Sequence, residues 1–363
     1  MLLQYYIERY ELVVAIIMES IGKNKDFYNK FKHNKEWRGW RKLNKELLNI
    51  ENNNNINRRY FYSINYPVFE EDLCKMEMKY LFDIVPNEKY LFSDYYVEPS
   101  RSPFIKDMIS IIYEEDSLAQ ITEKIIKDKL SYDDFKVCYI KLENGDVNYK
   151  ERLRSVREIG LVINGQSQMH NPKVMLGVTK VHGKWIVGEY ERNDYEWHIH
   201  DKKPYSYSNS LSLRVSRALV NIAVKNNLEC KLIDPCCGVG TVVIEALSMG
   251  IDVNGYEINK SIAENAQKNL EFFGYKNVIT SGDMHNIEEK YDVAIIDLPY
   301  GVFTSTTLEE QTALMKSARR ITNKLVIVTF EDMDKYIIEA GFDIINKCYV
   351  CKGKFKRYIN ICE

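Results

Sequence analysis

With 363 residues the chain is long enough for two or three domains and a sizeable core. Hydrophobic residues make up 45% and charged residues 28%, which excludes a disordered or fibrous protein. The net charge of -2 gives no global basic field, so any nucleic-acid footprint must be local. No apolar run reaches the roughly 20 residues of a membrane-spanning helix, and Glu8 and Glu11 interrupt any signal-peptide character. The eight scattered cysteines suit a reducing compartment better than a disulfide framework, so a cytoplasmic protein is expected.

Residues 1–56 read as an extension and linker. Leu12 to Ile21 suggests a helix. Between Lys23 and Glu46 nine Lys/Arg stand against three Asp/Glu, interleaved with Phe27, Tyr28, Phe31, Trp37 and Trp40. Such a mixture either packs as an amphipathic helix or grips nucleic acid by phosphate contact and stacking. Asn52 to Asn55 then marks a polar boundary.

Residues 57–200 read as an α+β module. Tyr60 to Tyr66 alternates as a strand does, and Phe69 to Phe82 places apolar residues at helical spacing. Strand-like and helical pieces follow at Met108 to Tyr113, Leu118 to Lys127 and Phe135 to Leu142. Residues 150–164 predict a helix with Lys150, Arg152, Arg154 and Arg157 on a basic face. Val174 to Val181 and Trp185 to Tyr190 flank His182-Gly183-Lys184 as a hairpin. His198 and His200, alternating beside Trp197, suggest a surface hairpin.

From 201 to the end the pattern is α/β. After an amphipathic helix over Leu211 to Val224, strands are predicted at 231–234, 251–256, 277–281, 292–297 and 324–330. Helices are predicted between them at 240–249, 261–272, 308–321 and 332–340. Ser261 and Glu264 match a capping box, and Gly274 follows the end of that helix. Strands separated by helices require right-handed crossovers and a largely parallel, doubly wound sheet. Phe342 to Cys351 and Lys354 to Cys362 close it with an antiparallel hairpin.

Ligands of such sheets sit at the carboxyl ends of the strands. Asp234 ends the first strand. Gly238 and Gly240 allow the backbone close approach, with a helix N-terminus behind them. A second carboxylate, Glu257, lies 23 residues after Asp234 at the end of the next strand, where it can take the hydroxyls of a ribose. Asp283 ends the third strand, able to accept from an adenine amine with Met284 against the ring; the alternative for Asp283 is a turn cap. Val243 breaks a complete dinucleotide fingerprint, which argues against a dehydrogenase. The fourth strand ends Asp297-Leu298-Pro299-Tyr300. A nucleobase amine is a poor nucleophile because its lone pair is delocalised. The Asp297 carboxylate and the Leu298 carbonyl can accept both its hydrogens, Pro299 fixes the backbone, and Tyr300 offers a stacking face for a flipped base. Asp297 can also take the released proton.

Asp297-Leu-Pro-Tyr resembles the Asp/Asn-Pro-Pro-Tyr motif of amino-methyltransferases, and Asp234-Pro235-Cys236-Cys-Gly-Val-Gly-Thr241 resembles their glycine loop. With Lys203-Pro-Tyr-Ser-Tyr-Ser and Arg214-x-x-Arg217-Ala-Leu-Val-Asn221, the chain resembles the THUMP-type guanine-N2 RNA methyltransferases, of the tRNA guanosine-10 group. That resemblance implies a Rossmann-like class I methyltransferase domain over 201–363 behind a ferredoxin-like, THUMP-like RNA-binding module. It implies S-adenosyl-L-methionine as cofactor, an RNA partner of the tRNA class, and no metal. It carries cofactor roles to Asp234, Pro235, Cys236, Gly238, Gly240, Thr241, Glu257, Ile258, Asp283 and Met284, and places Tyr205 and Tyr207 over the donor. Leu298 departs from the motif's first Pro, but the group required there is a carbonyl. Adenine N6 or a protein glutamine is the alternative acceptor; Asp rather than Asn at 297 argues against glutamine. A non-catalytic RNA-binding protein of the same fold is the third reading.

Overall fold

A computed structural model describes residues 58–143, 145, 147–207, 210–299, 306–352 and 355–363. The expected helix, basic stretch and linker of residues 1–56 lie outside the described residues, as does Tyr300.

The first sheet has six strands: β1 (Tyr60–Ile64), β2 (Tyr90–Ser93), β3 (Ile105–Glu115), β4 (Phe135–Tyr139), β5 (Val174–Val181) and β6 (Lys184–Arg192). They are ordered β2-β1-β3-β6-β5-β4, antiparallel except for β4 beside β5. Helices α1 (Glu71–Phe82), α2 (Leu118–Asp128) and α3 (Tyr149–Val162) fill its connections. Ser117 and Gln120 form a reciprocal capping box at the start of α2, and Ile121 and Ile125 bury its apolar stripe.

The second sheet holds seven strands: β7 (Lys231–Asp234), β8 (Asp252–Glu257), β9 (Ile279–Ser281), β10 (Tyr291–Asp297), β11 (Thr322–Thr329), β12 (Ile344–Lys352) and β13 (Phe355–Cys362). Between them run α5 (Thr241–Ser248), α6 (Lys260–Phe272), α7 (Leu308–Ile321) and α8 (Asp334–Glu339), and α4 (Leu213–Val224) precedes β7. The order β9-β8-β7-β10-β11-β13-β12 reverses direction of travel between β7 and β10. Strands β7 to β11 are parallel, and β13 inserts antiparallel between β11 and β12. Near-continuous apolar runs such as Val293 to Ile296 and Leu325 to Val328 are what a parallel strand covered on both faces requires. The doubly wound sheet and terminal hairpin therefore form where the spacing of the elements predicts them.

The two sheets share a core. Tyr62, Leu73, Met78 and Leu81 from the first layer pack in one apolar cluster with Leu219, Ile222, Val243 and Val253 from the second. Helix α4 is consequently buried on nearly every side, including Ser216, Arg217 and Asn221. This corrects its reading as a one-faced amphipathic helix: α1 covers the side that would otherwise meet water.

Arg217 and Asn221 are buried with partners, while the Ser216 hydroxyl has none. Glu245 on α5 is fully buried between Arg217 (Nη1 to Oε2, 2.6 Å) and His200 (Nδ1 to Oε1, 2.6 Å). Arg217 also donates to Ser248 Oγ at 3.0 Å and to the Ser100 carbonyl at 2.7 Å, which ties α4 to the first layer. Asn221 donates to Glu77 Oε1 of α1 at 2.6 Å and accepts from Arg101 Nε at 3.0 Å. His198 and His200 therefore do not form a surface hairpin. Glu196–Lys202 is a 3-10 run whose three-residue period buries Trp197 and His200 together. The start of α6 differs from expectation as well. Asn259, not Ser261, is the N-cap, its side chain accepting from the Ser261 and Ile262 amides at 3.0 and 3.3 Å.

Removing one member of a buried ion network leaves the others desolvated and unpaired. Glu245→Ala should lower the unfolding free energy by about 3–5 kcal/mol in urea denaturation. Glu245→Gln, which keeps one of the two acceptor oxygens and the volume, should cost less.

Candidate active site

The site is built on the carboxyl edge of β7, β8 and β10. In the ladder Asp234 pairs with Gly255 and Glu257 with Ser281, while Asp297 pairs with Val328 of β11. Parallel strands point their last residues to one edge, so Asp234, Glu257 and Asp297 converge there.

Between β7 and α5 the chain turns through Gly238 (φ +52°) and Gly240 (φ +81°), both in the left-handed region that favours glycine. A Cβ added at Gly238 would meet nothing within 4 Å, so the turn faces open space. Glu257 holds the turn from the side. Its Oε2 accepts from the Gly238 amide at 3.0 Å and its Oε1 from the Asn259 amide at 2.8 Å. The Cys237 amide donates to the Tyr256 carbonyl at 2.8 Å. Asp234 lies beneath, with its Oδ1 accepting from the Cys236 amide at 3.3 Å. Pro235 is buried beside it, and the Cys236 sulfur meets the sulfur of the buried Met284 at 3.7 Å. Thr241 opens α5 with its hydroxyl buried and unpartnered.

Asp283 caps the short turn Met284–Asn286 by accepting from the His285 amide at 2.9 Å, the structural role weighed as its alternative. Ile258 is 72% exposed, so its side chain stands mainly in solvent. Tyr205 and Tyr207 are exposed on the segment before α4. That segment is tied to the glycine turn by a residue the sequence reading missed. Asn269 on α6, fully buried, accepts from the Tyr205 amide (3.0 Å) and donates to the Tyr205 and Val239 carbonyls (2.9 Å each). Its signal was legible: a carboxamide among Ala263, Ala266 and Leu270 on the apolar stripe of α6.

At the end of β10, Leu298 buries its side chain and donates its amide to the Val328 carbonyl at 3.0 Å. The Pro299 carbonyl accepts from Gln311 Nε2 at 2.9 Å and Thr306 Oγ1 at 3.1 Å. The Oδ1 of Asp297 is buried with no hydrogen-bond partner. Burial pushes Asp297 up to about 7, against a lowering by the Arg357 guanidinium of β13, which stands 5.3 Å over the Phe330 ring. Burial also pushes Asp234 well above the usual carboxylate range, and the charges of Asp297 and Glu257 add to it. A buried carboxylate oxygen without a donor, beside two further carboxylates and an open glycine turn, suits a ligand that brings positive charge and N–H donors. A cationic sulfonium cofactor and a nucleobase amine meet that description. Among the described residues no group of three or more His, Cys, Asp or Glu is arranged to hold a metal ion, and no helix is long and apolar enough to cross a membrane. All eight cysteines are free thiols.

A raised carboxyl value makes the native state bind its proton more tightly than the unfolded chain does, so the stability contributed falls as pH rises. Between about pH 4 and 7, Asp297→Asn should become progressively more stable relative to the unmodified protein. The difference should grow by roughly 2–4 kcal/mol across that window. Urea unfolding of both proteins along a pH series measures it.

The family model for the RMKL-like methyltransferase domain matches residues 200–336. A tRNA (guanine(10)-N2)-dimethyltransferase of Pyrococcus abyssi is 28% identical over 239 residues, 60% of this chain and 71% of that protein. One of the same name from Methanothermobacter thermautotrophicus is 26% identical over 212 residues, 55% of this chain and 62% of its own length. The crystal structure of TrmN from Thermus thermophilus is similar at a TM-score of 0.42 and 14% identity, over 84% of this chain and 99% of that one.

Proposed function

We propose that this protein transfers a methyl group from S-adenosyl-L-methionine to the exocyclic N2 amine of a guanine in RNA, of the tRNA class. One observation carries the reading: the buried, unpartnered Asp297 oxygen on the same sheet edge as the open glycine turn. The names of the relatives, tRNA (guanine(10)-N2)-dimethyltransferases, support guanine N2 as the acceptor.

S-Adenosyl-L-methionine, when bound, supplies an electrophilic methyl carbon. Asp234, Pro235, Cys236, Gly238, Gly240 and Thr241 would form its cradle, with Glu257 and Ile258 on the ribose side and Asp283 and Met284 on the adenine side. Glu257 already holds two backbone amides, and each of its oxygens retains a second lone pair for a hydroxyl. Tyr205 and Tyr207 would close the side toward α4, with the Tyr205 backbone held by Asn269.

Asp297 accepts one amine hydrogen and the Leu298 carbonyl the other, which turns the nitrogen lone pair away from the base's ring system and toward the incoming carbon. Since the methyl carbon would exchange its bond to the donor sulfur for one to this nitrogen, leaving a neutral thioether, Asp297 would take up the amine's surplus proton, a role its raised proton affinity suits. Tyr300 supplies a stacking face for the extruded base.

The module over residues 57–200 would hold the RNA. Lys150, Arg154 and Arg157 stand exposed along α3, although Arg154 is paired with Glu158 at 2.6 Å. Free thiols throughout fit a cytoplasmic protein.

The test is methyl transfer from labelled cofactor to unmodified tRNA, followed by nucleoside analysis. Label should appear in N2-methylguanosine, disappear in Asp297→Ala, and show kcat/KM rising through one limb near pH 7. Label in methyladenosine, or in protein alone, would overturn the reading.

A further inference from the structure

We propose that Gln311 is a positioning residue for the amine-accepting segment at the end of β10. The inference rests on the function proposed above and adds a residue to it.

Two peptide groups fix the backbone after Asp297. The Leu298 amide is held by the Val328 carbonyl at 3.0 Å, within the sheet. The Pro299 carbonyl is held by Gln311 Nε2 at 2.9 Å and Thr306 Oγ1 at 3.1 Å, outside it. Between these two anchored groups stands the Leu298 carbonyl, the second acceptor the chemistry requires. The proline ring already fixes φ at 299. A hydrogen bond to its carbonyl constrains ψ, the remaining soft dihedral of that residue. With both set, the Leu298 carbonyl and the Asp297 carboxylate keep one mutual geometry while a base enters and leaves.

Gln311 is itself rigidly mounted. Thr307 caps α7 with a reciprocal box: its Oγ1 accepts from the Glu310 amide at 3.2 Å and its amide donates to Glu310 Oε2 at 2.7 Å. The Gln311 amide donates to the Thr307 carbonyl at 3.0 Å, so the residue lies in the first closed turn. It precedes Met315, Ala318 and Ile321 on the stripe that α7 buries against the sheet. An apolar residue there would bury more hydrocarbon. A carboxamide at that place gives the Pro299 carbonyl a donor, which a proline-containing turn cannot supply from its own ring nitrogen.

The experiment compares Gln311→Leu, Gln311→Glu and Gln311→Lys with the unmodified protein, on whichever nucleoside accepts the label. The Leu and Glu variants remove the donor; the Lys variant keeps one. We expect kcat to fall on the order of 10- to 100-fold in Leu and Glu, with cofactor KM and thermal midpoint unchanged and most of kcat restored in Lys. Glu is nearly isosteric, so it carries the test should Leu unfold. Equal kcat in all variants overturns the proposal. So does a loss that tracks a lowered midpoint and is not restored by Lys. Label on a nucleoside other than guanine would overturn the function proposed above, while the ratio of the variants on that nucleoside would still decide the role of Gln311.

Discussion

The structure depends on what a parallel sheet does with charge. Parallel strands end together, so whatever acids close them are crowded onto one edge. Asp234 is buried there together with the Oδ1 of Asp297, and Glu257 stands beside them. Such an arrangement opposes folding, because desolvation and like charge both disfavour carboxylates. It persists because the sheet beneath is apolar on both faces, through Val293 to Ile296 and Leu325 to Val328. The consequence is a site that attracts positive charge and N–H donors, and holds a proton near neutrality.

A strained edge of this kind needs rigid surroundings. Gly238 and Gly240 take up backbone angles that other residues resist, and Glu257 holds that turn through the Gly238 amide. Asn269 joins the turn to the Tyr205 segment, and Gln311 joins the end of β10 to α7. Further back, the Arg217–Glu245–His200 network and the Glu77–Asn221 contact fasten the first layer to α4. The first sheet thus sits on the same core as the carboxyl edge of the second. The geometry between them is set by packing and buried hydrogen bonds.

Much of this was legible in the sequence. Alternating strands and helices from 231 onward specify a doubly wound sheet because each period has one physical meaning, and the glycine turn and the Asp297 stretch fall at strand ends as the pattern requires. Errors occurred where tertiary context changed the local rule. His198 and His200 read as alternation, whereas a 3-10 turn puts Trp197 and His200 on a common buried face. Helix α4 reads as amphipathic from its spacing, but α1 covers its other side and buries Arg217 and Asn221 too. The cap at Asn259 was hidden by a better-looking Ser261. Asn269 and Gln311 share one missed signal, a carboxamide on an apolar helical stripe. Such a residue costs burial energy unless backbone groups need it, and its partners lie on elements that sequence spacing alone does not bring together.

The central claim is that the glycine turn and the Asp297 segment are two halves of one site. A crystal structure with bound S-adenosylhomocysteine tests it most directly. The account predicts the ribose hydroxyls on Glu257, the adenine beside Asp283, and the sulfur facing the Asp297 carboxylate and the Leu298 carbonyl across a gap that fits a planar amine. A ligand bound away from the turn, or with its sulfur directed away from Asp297, would contradict it.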